Sequence, residues 1–282
     1  MYPQRRIQPG AQHCTVAVEF ILLGKFSQKM TTTIQSCCLQ PRIFDAIPGL
    51  IAAESTRHGG VSQGNYAALN LGLSTEDDPI AIEENRRIFF QSLGLSPAQI
   101  ASAYQIHGDA ILKVDQAGRA DGYDALIANV PNIFLTVTIA DCTPILIADP
   151  RTRAVAAIHA GWRGTIAGIV SKTIIRLQAE FGVQPQDCLA YVGTCIDECS
   201  FEVNPDVADH FATDYKRWDE SLQKYFVDLK AANRAQLIEA GILPEKIEVS
   251  PYSTVVHNAD FYSYRKEKGV TGRMLNLIGF KV

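Results

Sequence analysis

From Phe44 onward, short apolar runs alternate with stretches of helical periodicity, the pattern of a domain that mixes strands and helices. Runs of strand length lie at Ile111–Val114, Ile133–Ile139, Pro144–Ala148, Val155–His159 and Leu189–Val192. Three segments read as helices. The first opens within Glu76-Asp-Asp-Pro-Ile-Ala-Ile-Glu-Glu-Asn-Arg-Arg87: Asp78 caps it, Pro79 suits its first turn, acids fill that turn and Gly94 ends it. The second spans Gly164 to Phe181, with Ile166, Ile169, Val170, Ile174 and Leu177 near helical spacing. The third covers Leu229–Ala240 and stops at Gly241. No internal repeat, low-complexity block or interdomain linker interrupts the pattern.

Residues 1–43 differ. They mix Pro, Gln, Arg, Thr and Cys without sustained periodicity, so they are expected to form a poorly ordered extension, dispensable for fold and chemistry. Met30 is a candidate start, which would make residues 1–29 an upstream extension. Cys14-Thr-Val-Ala-Val-Glu-Phe-Ile-Leu-Leu-Gly24 is the nearest approach to a membrane segment. It is too short against the roughly 18–20 residues needed to span a bilayer, and it carries Glu19. Arg5 and Arg6 precede it in the manner of a signal peptide, but no small-residue cleavage site follows closely.

Composition narrows the function classes. With 282 residues and 47% apolar content, the chain has material for a sizeable core. A net charge of −4 argues against a nucleic-acid partner, which asks for a basic stripe. Seven scattered Cys suit free thiols in a reducing cytoplasm better than a disulfide framework.

Candidate chemistry gathers at the ends of the apolar runs. His107 lies in Tyr104-Gln-Ile-His-Gly108. Cys142 lies in Thr138-Ile-Ala-Asp-Cys-Thr-Pro-Ile-Leu-Ile-Ala-Asp-Pro150, and His159 in Ile158-His-Ala-Gly-Trp-Arg-Gly-Thr165. Two His and one Cys can hold a zinc ion and leave its fourth position open, as catalytic zinc requires. The spacing His-x34-Cys-x16-His matches no short zinc-finger rule, and by itself it favours a buried Cys with two hydrogen-bonded His; the neighbouring residues shift the balance toward a metal. Asp141 is expected to orient a ligating imidazole. After His159 the chain passes through two glycines into the second helix. Its start, with the planar fork of Arg163, is expected to bind an anion; a tight turn with a surface Arg is the alternative. The loop Ser55-Thr-Arg-His-Gly-Gly-Val-Ser-Gln-Gly-Asn-Tyr66 offers Arg57, Ser62 and backbone donors, but no Gly-Lys-Ser/Thr follows, so it is not a Walker loop. Cys195 and Cys199 lack metal-binding spacing and are read as a structural turn near the site. His13, His210 and His257 stand alone and are read as surface or locally satisfied residues. Trp162 can stack on a ligand ring or pack.

Taken together, Thr56-Arg-His-Gly-Gly-Val-Ser62, Leu69-Asn-Leu-Gly72, Gln105-Ile-His-Gly108, Asp124-Ala-Leu-Ile127, Ala140-Asp-Cys-Thr-Pro-Ile145, His159-Ala-Gly-Trp-Arg-Gly-Thr165, Asp228-Leu229 and Phe261-Tyr-Ser-Tyr-Arg265 resemble the YfiH-like family. Its members are also described as peptidoglycan editing factors or polyphenol-oxidase laccase-domain proteins. The resemblance covers residues 44–282. It implies a single α+β domain, a layered α/β/β/α sandwich with mixed sheets. It implies zinc on His107, Cys142 and His159, with copper the lesser candidate. It also implies phosphorolysis of adenosine, inosine and methylthioadenosine to free base and ribose 1-phosphate, with adenosine deamination as a side activity. Cys142, His159 and Arg163 would be catalytic, and Arg57, Ser62 and Arg163 would bind substrate and phosphate, in a monomer or homodimer. One Cys and two His do not supply the many His ligands of a multicopper oxidase, and the His-x-Glu and Pro-Cys-x-x-Cys signature of cytidine deaminases is absent. The family loop usually reads Gly-Pro-Cys-Ile-Gly, whereas here it is Gly193-Thr-Cys-Ile-Asp197. Two other classes use the same residues. One is a cysteine hydrolase that edits peptidoglycan precursors, with Cys142 as nucleophile and His159 or His107 as base. The other is a non-enzymatic, zinc-stabilised binding module.

Overall fold

The alternating runs assemble into two stacked sheets. The structure, a computed structural model, describes residues 36–282, and these belong to one compact unit. In chain order its first strands are β1 (Cys38–Leu39) and β2 (Leu50–Ser55). After helix α1 (Pro79–Ser92) come β3 (Ile100–Tyr104), β4 (Ile111–Lys113), β5 (Gly118–Asp121), β6 (Ala125–Ala128), β7 (Phe134–Ile139), β8 (Thr143–Asp149) and β9 (Ala154–Ala160). Helices α2 (Trp162–Ile166) and α3 (Ile169–Phe181) lead to β10 (Leu189–Val192), β11 (Glu202–Val203) and α4 (Pro205–Ala208). The chain closes with β12 (Lys216–Asp219), β13 (Lys224–Val227), α5 (Leu229–Glu239), β14 (Ile247–Val249) and β15 (Met274–Phe280).

The first sheet runs β1-β2-β15-β7-β3-β5 and the second β14-β10-β8-β9-β6-β4; both mix parallel and antiparallel pairs. A small sheet, β11-β13-β12, stands beside them. The period of two along each strand sorts its side chains between layers. On β8, Leu146 and Ala148 face the first sheet, where they meet Leu135, Val137 and Ile278, while Ile145 and Ile147 face α3. On the outer side of the first sheet, Phe89 and Phe90 of α1 pack on Ala53, Leu275 and Leu277. The order is therefore α1, first sheet, second sheet, then α3 with α5: the layered α/β/β/α sandwich expected of the family.

Helix α1 has the expected cap and stop: Asp78 accepts from the Ile80 amide, Pro79 sits in the first turn, and Gly94 follows the end at φ +67°, but no acid lies in that turn, since Glu83 and Glu84 come after it. The second helix differs. It breaks at Gly168, whose φ of +75° no right-handed helix contains, and yields the five-residue α2 and the longer α3. The extension also ends earlier than expected. Cys38 and Leu39 pair with Ser55 and Glu54, and Phe44 is buried between the sheets, so residues 36–43 belong to the sandwich. His13 and the rest of the extension lie outside the described residues.

Candidate active site

Strand geometry delivers the three candidate ligands to one place. On β9, Val155 and Ala157 point into the core between the sheets. His159, two residues on, points the same way, at the strand end where that core gives way to a cavity. Cys142 immediately precedes β8, and the β8–β9 register sets Thr143 opposite Ala160, which brings Cys142 beside Gly161. His107 follows β3 in a tight loop with φ +59°, a left-handed conformation uncommon for a residue with a side chain. The ligand atoms of His107, Cys142 and His159 lie within 4.8 Å of one another, and the two imidazoles meet edge to face at 4.9 Å. Gly161 leaves them room, because a Cβ there would stand 3.2 Å from both Cys142 Sγ and the His107 ring.

One carboxylate organises this cluster. Asp124, 1% exposed, lies 2.8 Å from His159 Nδ1 through Oδ1 and accepts the His107 amide at 3.0 Å on the same oxygen. Its Oδ2 accepts the Gly108 amide at 2.7 Å and the Ile106 amide at 3.2 Å. Burial alone would raise Asp124, but the His159 ring and these amides outweigh it and hold the carboxyl below its ordinary range. Burial would likewise raise Cys142, yet the facing His159 and His107 bring the thiol down to about 6. For His159, burial works downward, and Cys142 and Asp124 outweigh it to reach about 9. Each group thus favours the charged form of the other, thiolate beside imidazolium, with the His159 ring buried and Cys142 half-buried.

Asp141, expected to orient an imidazole, does something else. At φ +88°, its Oδ1 accepts Thr254 Oγ1 at 2.6 Å and Ser263 Oγ at 2.8 Å, and its Oδ2 accepts the Arg265 amide at 2.6 Å. It clamps the 254–265 segment to the Cys142 turn; Asp124 is the orienting carboxylate. Asp124 stood in the stretch Asp124-Ala-Leu-Ile127, but sequence alone gave no reason to assign it a role.

The cluster opens into a cavity of about 560 Å³. Trp162, Phe201 and Tyr264 line it, with Ser102, Thr136 and Thr138 on its sheet side. Arg163 lines it too, stacked over the Trp162 ring at 4.2 Å. Arg57 and Ser62 are not brought here. The Arg57 guanidinium is occupied by the carbonyls of Ala67 and Asn258 and by Glu267 at 3.1 Å, and it lies over Tyr262. Ser62 is buried and donates to Asp77 at 2.6 Å while accepting from Asn85. Both fasten the Gly-rich loop. The anion site expected at the start of the second helix loses its support as well, since α2 has only five residues and little dipole to offer. Cys195 is buried, with burial pushing its thiol up to about 12, and the chain there pairs with Ser253 in a structural turn. His257 accepts the Ser253 amide, and His210 is exposed. Among the described residues the His107, Cys142 and His159 group is the one cluster able to hold a metal, and no helix is long and apolar enough to cross a membrane.

Residues 51–281 match the family model described as multi-copper polyphenol oxidoreductase laccase. Among similar proteins, the purine nucleoside phosphorylase of Deinococcus radiodurans is 39% identical over 229 residues, covering 80% of this chain and 88% of its own. The purine nucleoside phosphorylase YfiH of Escherichia coli is 37% identical over 235 residues, covering 82% and 93%. The crystal structure of YlmD from Geobacillus stearothermophilus superposes with a TM-score of 0.80 at 33% identity, over 84% of this chain and 93% of that one. With the sandwich, the site and these matches in agreement, the chain belongs to the laccase-like YfiH family.

Proposed function

We propose that this chain is a purine nucleoside phosphorylase that carries zinc on His107, Cys142 and His159. The observation that carries the reading is the His–Cys–His cluster, oriented by Asp124, at the wall of a nucleoside-sized cavity rich in arginine. The purine nucleoside phosphorylase names of the relatives support it. The donor set fits zinc: one thiolate and two imidazoles close together, one imidazole already aligned by a carboxylate. When bound, zinc supplies a Lewis-acidic point that polarises a ligand oxygen or nitrogen.

The substrates are adenosine, inosine and methylthioadenosine. A phosphate oxygen forms the new bond to C1′ of the ribose as the bond from C1′ to the purine nitrogen breaks. The base leaves and takes up a proton; the sugar product is ribose 1-phosphate from adenosine and inosine, and 5-methylthioribose 1-phosphate from methylthioadenosine. Asp124 holds the His159 ring with Nδ1 toward itself and leaves the other nitrogen for Cys142 and the metal. Trp162 and Phe201 offer flat apolar surface to a purine, and Arg163 adds a cation at the same wall. Adenosine deamination is a lesser activity of the same site. We place the protein in the cytoplasm.

The decisive experiment incubates metal-analysed protein with adenosine and inosine, with and without phosphate. Free base and ribose 1-phosphate formed only with phosphate establish phosphorolysis; inosine formed from adenosine establishes deamination; no turnover of any nucleoside would sink the reading. A second reading has its own support. Cys142, His159 and Asp124 also form the nucleophile, base and orienting acid of a cysteine hydrolase, here one acting on peptidoglycan precursors. Stoichiometric, tightly held zinc would occupy the thiolate and exclude it.

A further inference from the structure

Five arginines line the cavity beside the His–Cys–His cluster, and three of them gather on one side: Arg86 from α1, Arg119 from β5 and Arg273 just before β15. They come from distant parts of the chain and meet at one short segment, residues 71–74. Arg86 donates to the Leu71 carbonyl at 3.0 Å, and Arg119 donates to Ser74 Oγ at 3.2 Å. The Arg273 stem passes so close under Gly72 that a Cβ there would stand 2.6 Å from its Cγ. Arg273 turns its Nη1 to the carbonyls of Thr271 and Gly272. Aromatic rings back the guanidinium groups: Phe90 under Arg86, Tyr104 under Arg119 and Tyr264 under Arg273.

None of the three is in direct contact with a carboxylate, although the Cys142 and Asp141 charges act on Arg273 from farther off. Among the described residues none of the three forms an ion pair; on the same wall Arg265 pairs with Glu202, while Arg163 forms none and lies over Trp162. Burial and the neighbouring Arg119 charge bring Arg86 down to about 10, so it remains a cation at neutral pH. Gathering like charges at a half-buried wall is unfavourable unless something negative completes the arrangement. Each guanidinium has five N–H donors, and one or two are taken by protein here. The remaining donors are forks of the kind that pair with tetrahedral oxyanions.

We propose that Arg86, Arg119 and Arg273 form an oxyanion subsite that seats a phosphate group, with the segment 71–74 as its frame. Its occupant is inorganic phosphate or a phosphate carried by the nucleoside. As an anion site it stands on this geometry alone; as the seat of the attacking phosphate it rests on the phosphorylase reading.

Direct titration of the full chain with inorganic phosphate, at fixed ionic strength, tests it without turnover. Arg119 is exposed, so Arg119→Gln leaves the fold intact; Arg86→Gln and Arg163→Gln complete the set. The expected result is a loss of about tenfold or more in phosphate affinity for Arg119→Gln and Arg86→Gln, and little change for Arg163→Gln. Adenosine 5′-monophosphate against adenosine tells the two sources apart: an advantage of the monophosphate that Arg119→Gln abolishes marks a substrate-borne phosphate. Phosphate affinity unchanged in both variants, or lost only in Arg163→Gln, overturns the proposal. In turnover, Arg119→Gln should raise KM for phosphate and leave KM for nucleoside nearly constant. Failure of the wild type to turn over would end the phosphorylase reading while the titration still decides the subsite.

Discussion

Asp124 fixes one candidate ligand through its side chain and the other through its backbone, so a single carboxylate sets the spacing of both imidazoles. Asp124→Asn preserves shape but replaces one acceptor oxygen with a donor. It should lower metal affinity by about 10–100-fold, measured by chelator competition, with the melting temperature little changed. Unaltered affinity would remove Asp124 from that role. The charged pair gives a second expectation. Metal needs both ligands deprotonated. With Cys142 at about 6 and His159 at about 9, metal entering between those values expels the His159 proton. Affinity should therefore rise about tenfold per pH unit through that window, level off above it, and fall more steeply below about 6, where Cys142 must also lose its proton. Calorimetry in buffers of different ionisation enthalpy would count the released proton, and none released near neutrality would refute the pairing. The loop at 193–197 shows how one departure from the family is absorbed. Thr194, where the family usually has Pro, has an amide, and it donates to the buried Glu54 carboxylate at 3.0 Å, which Tyr191 also meets at 2.5 Å.

At the scale of elements, β7, β8 and β9 were legible because each is six or seven residues of mostly apolar or β-branched side chains. Helices α1 and α5 were legible because capping residues and terminal glycines bracket them. Strands β2 and β15 were not. Both sit at the centre of the first sheet, yet Glu54 and Ser55 in one and Asn276 in the other are buried polar residues that break the pattern. The ligands were visible as residue types at strand ends, whereas the arginine wall was not: Arg86 looks like any polar residue on a helix until the sheet is in place. The break between α2 and α3 escaped because Ile166 and Ile169 keep helical spacing across it. Gly168 is the reason it exists, and a Cβ there meets nothing within 4 Å, so the cost of a side chain is purely conformational. Gly168→Ala should cost about 1–2 kcal/mol in denaturant unfolding. No loss would mean that the turn tolerates a right-handed alternative.

At the scale of the molecule, the two sheets put the cluster at the edge of their shared core and the arginine wall around it, so the cavity spans layers that fold from distant segments. The compact unit includes β1 and the family match begins at residue 51, so a chain starting at Met30 should keep its melting temperature, metal content and turnover. A chain starting at Phe44 should melt lower, because it lacks the β1 pairing with β2. Loss of metal on removing residues 1–29 would make the extension part of the domain. Asp141 has a consequence for motion. Its carboxylate fastens Thr254, Ser263 and Arg265 while its backbone neighbour is Cys142, and its carbonyl accepts the Ile196 amide. Whatever quiets Cys142 therefore quiets a segment more than a hundred positions later in the chain. Deuterium uptake at the Thr254 and Arg265 amides should slow when metal is added, which would make that remote stretch a reporter of whether the site is filled.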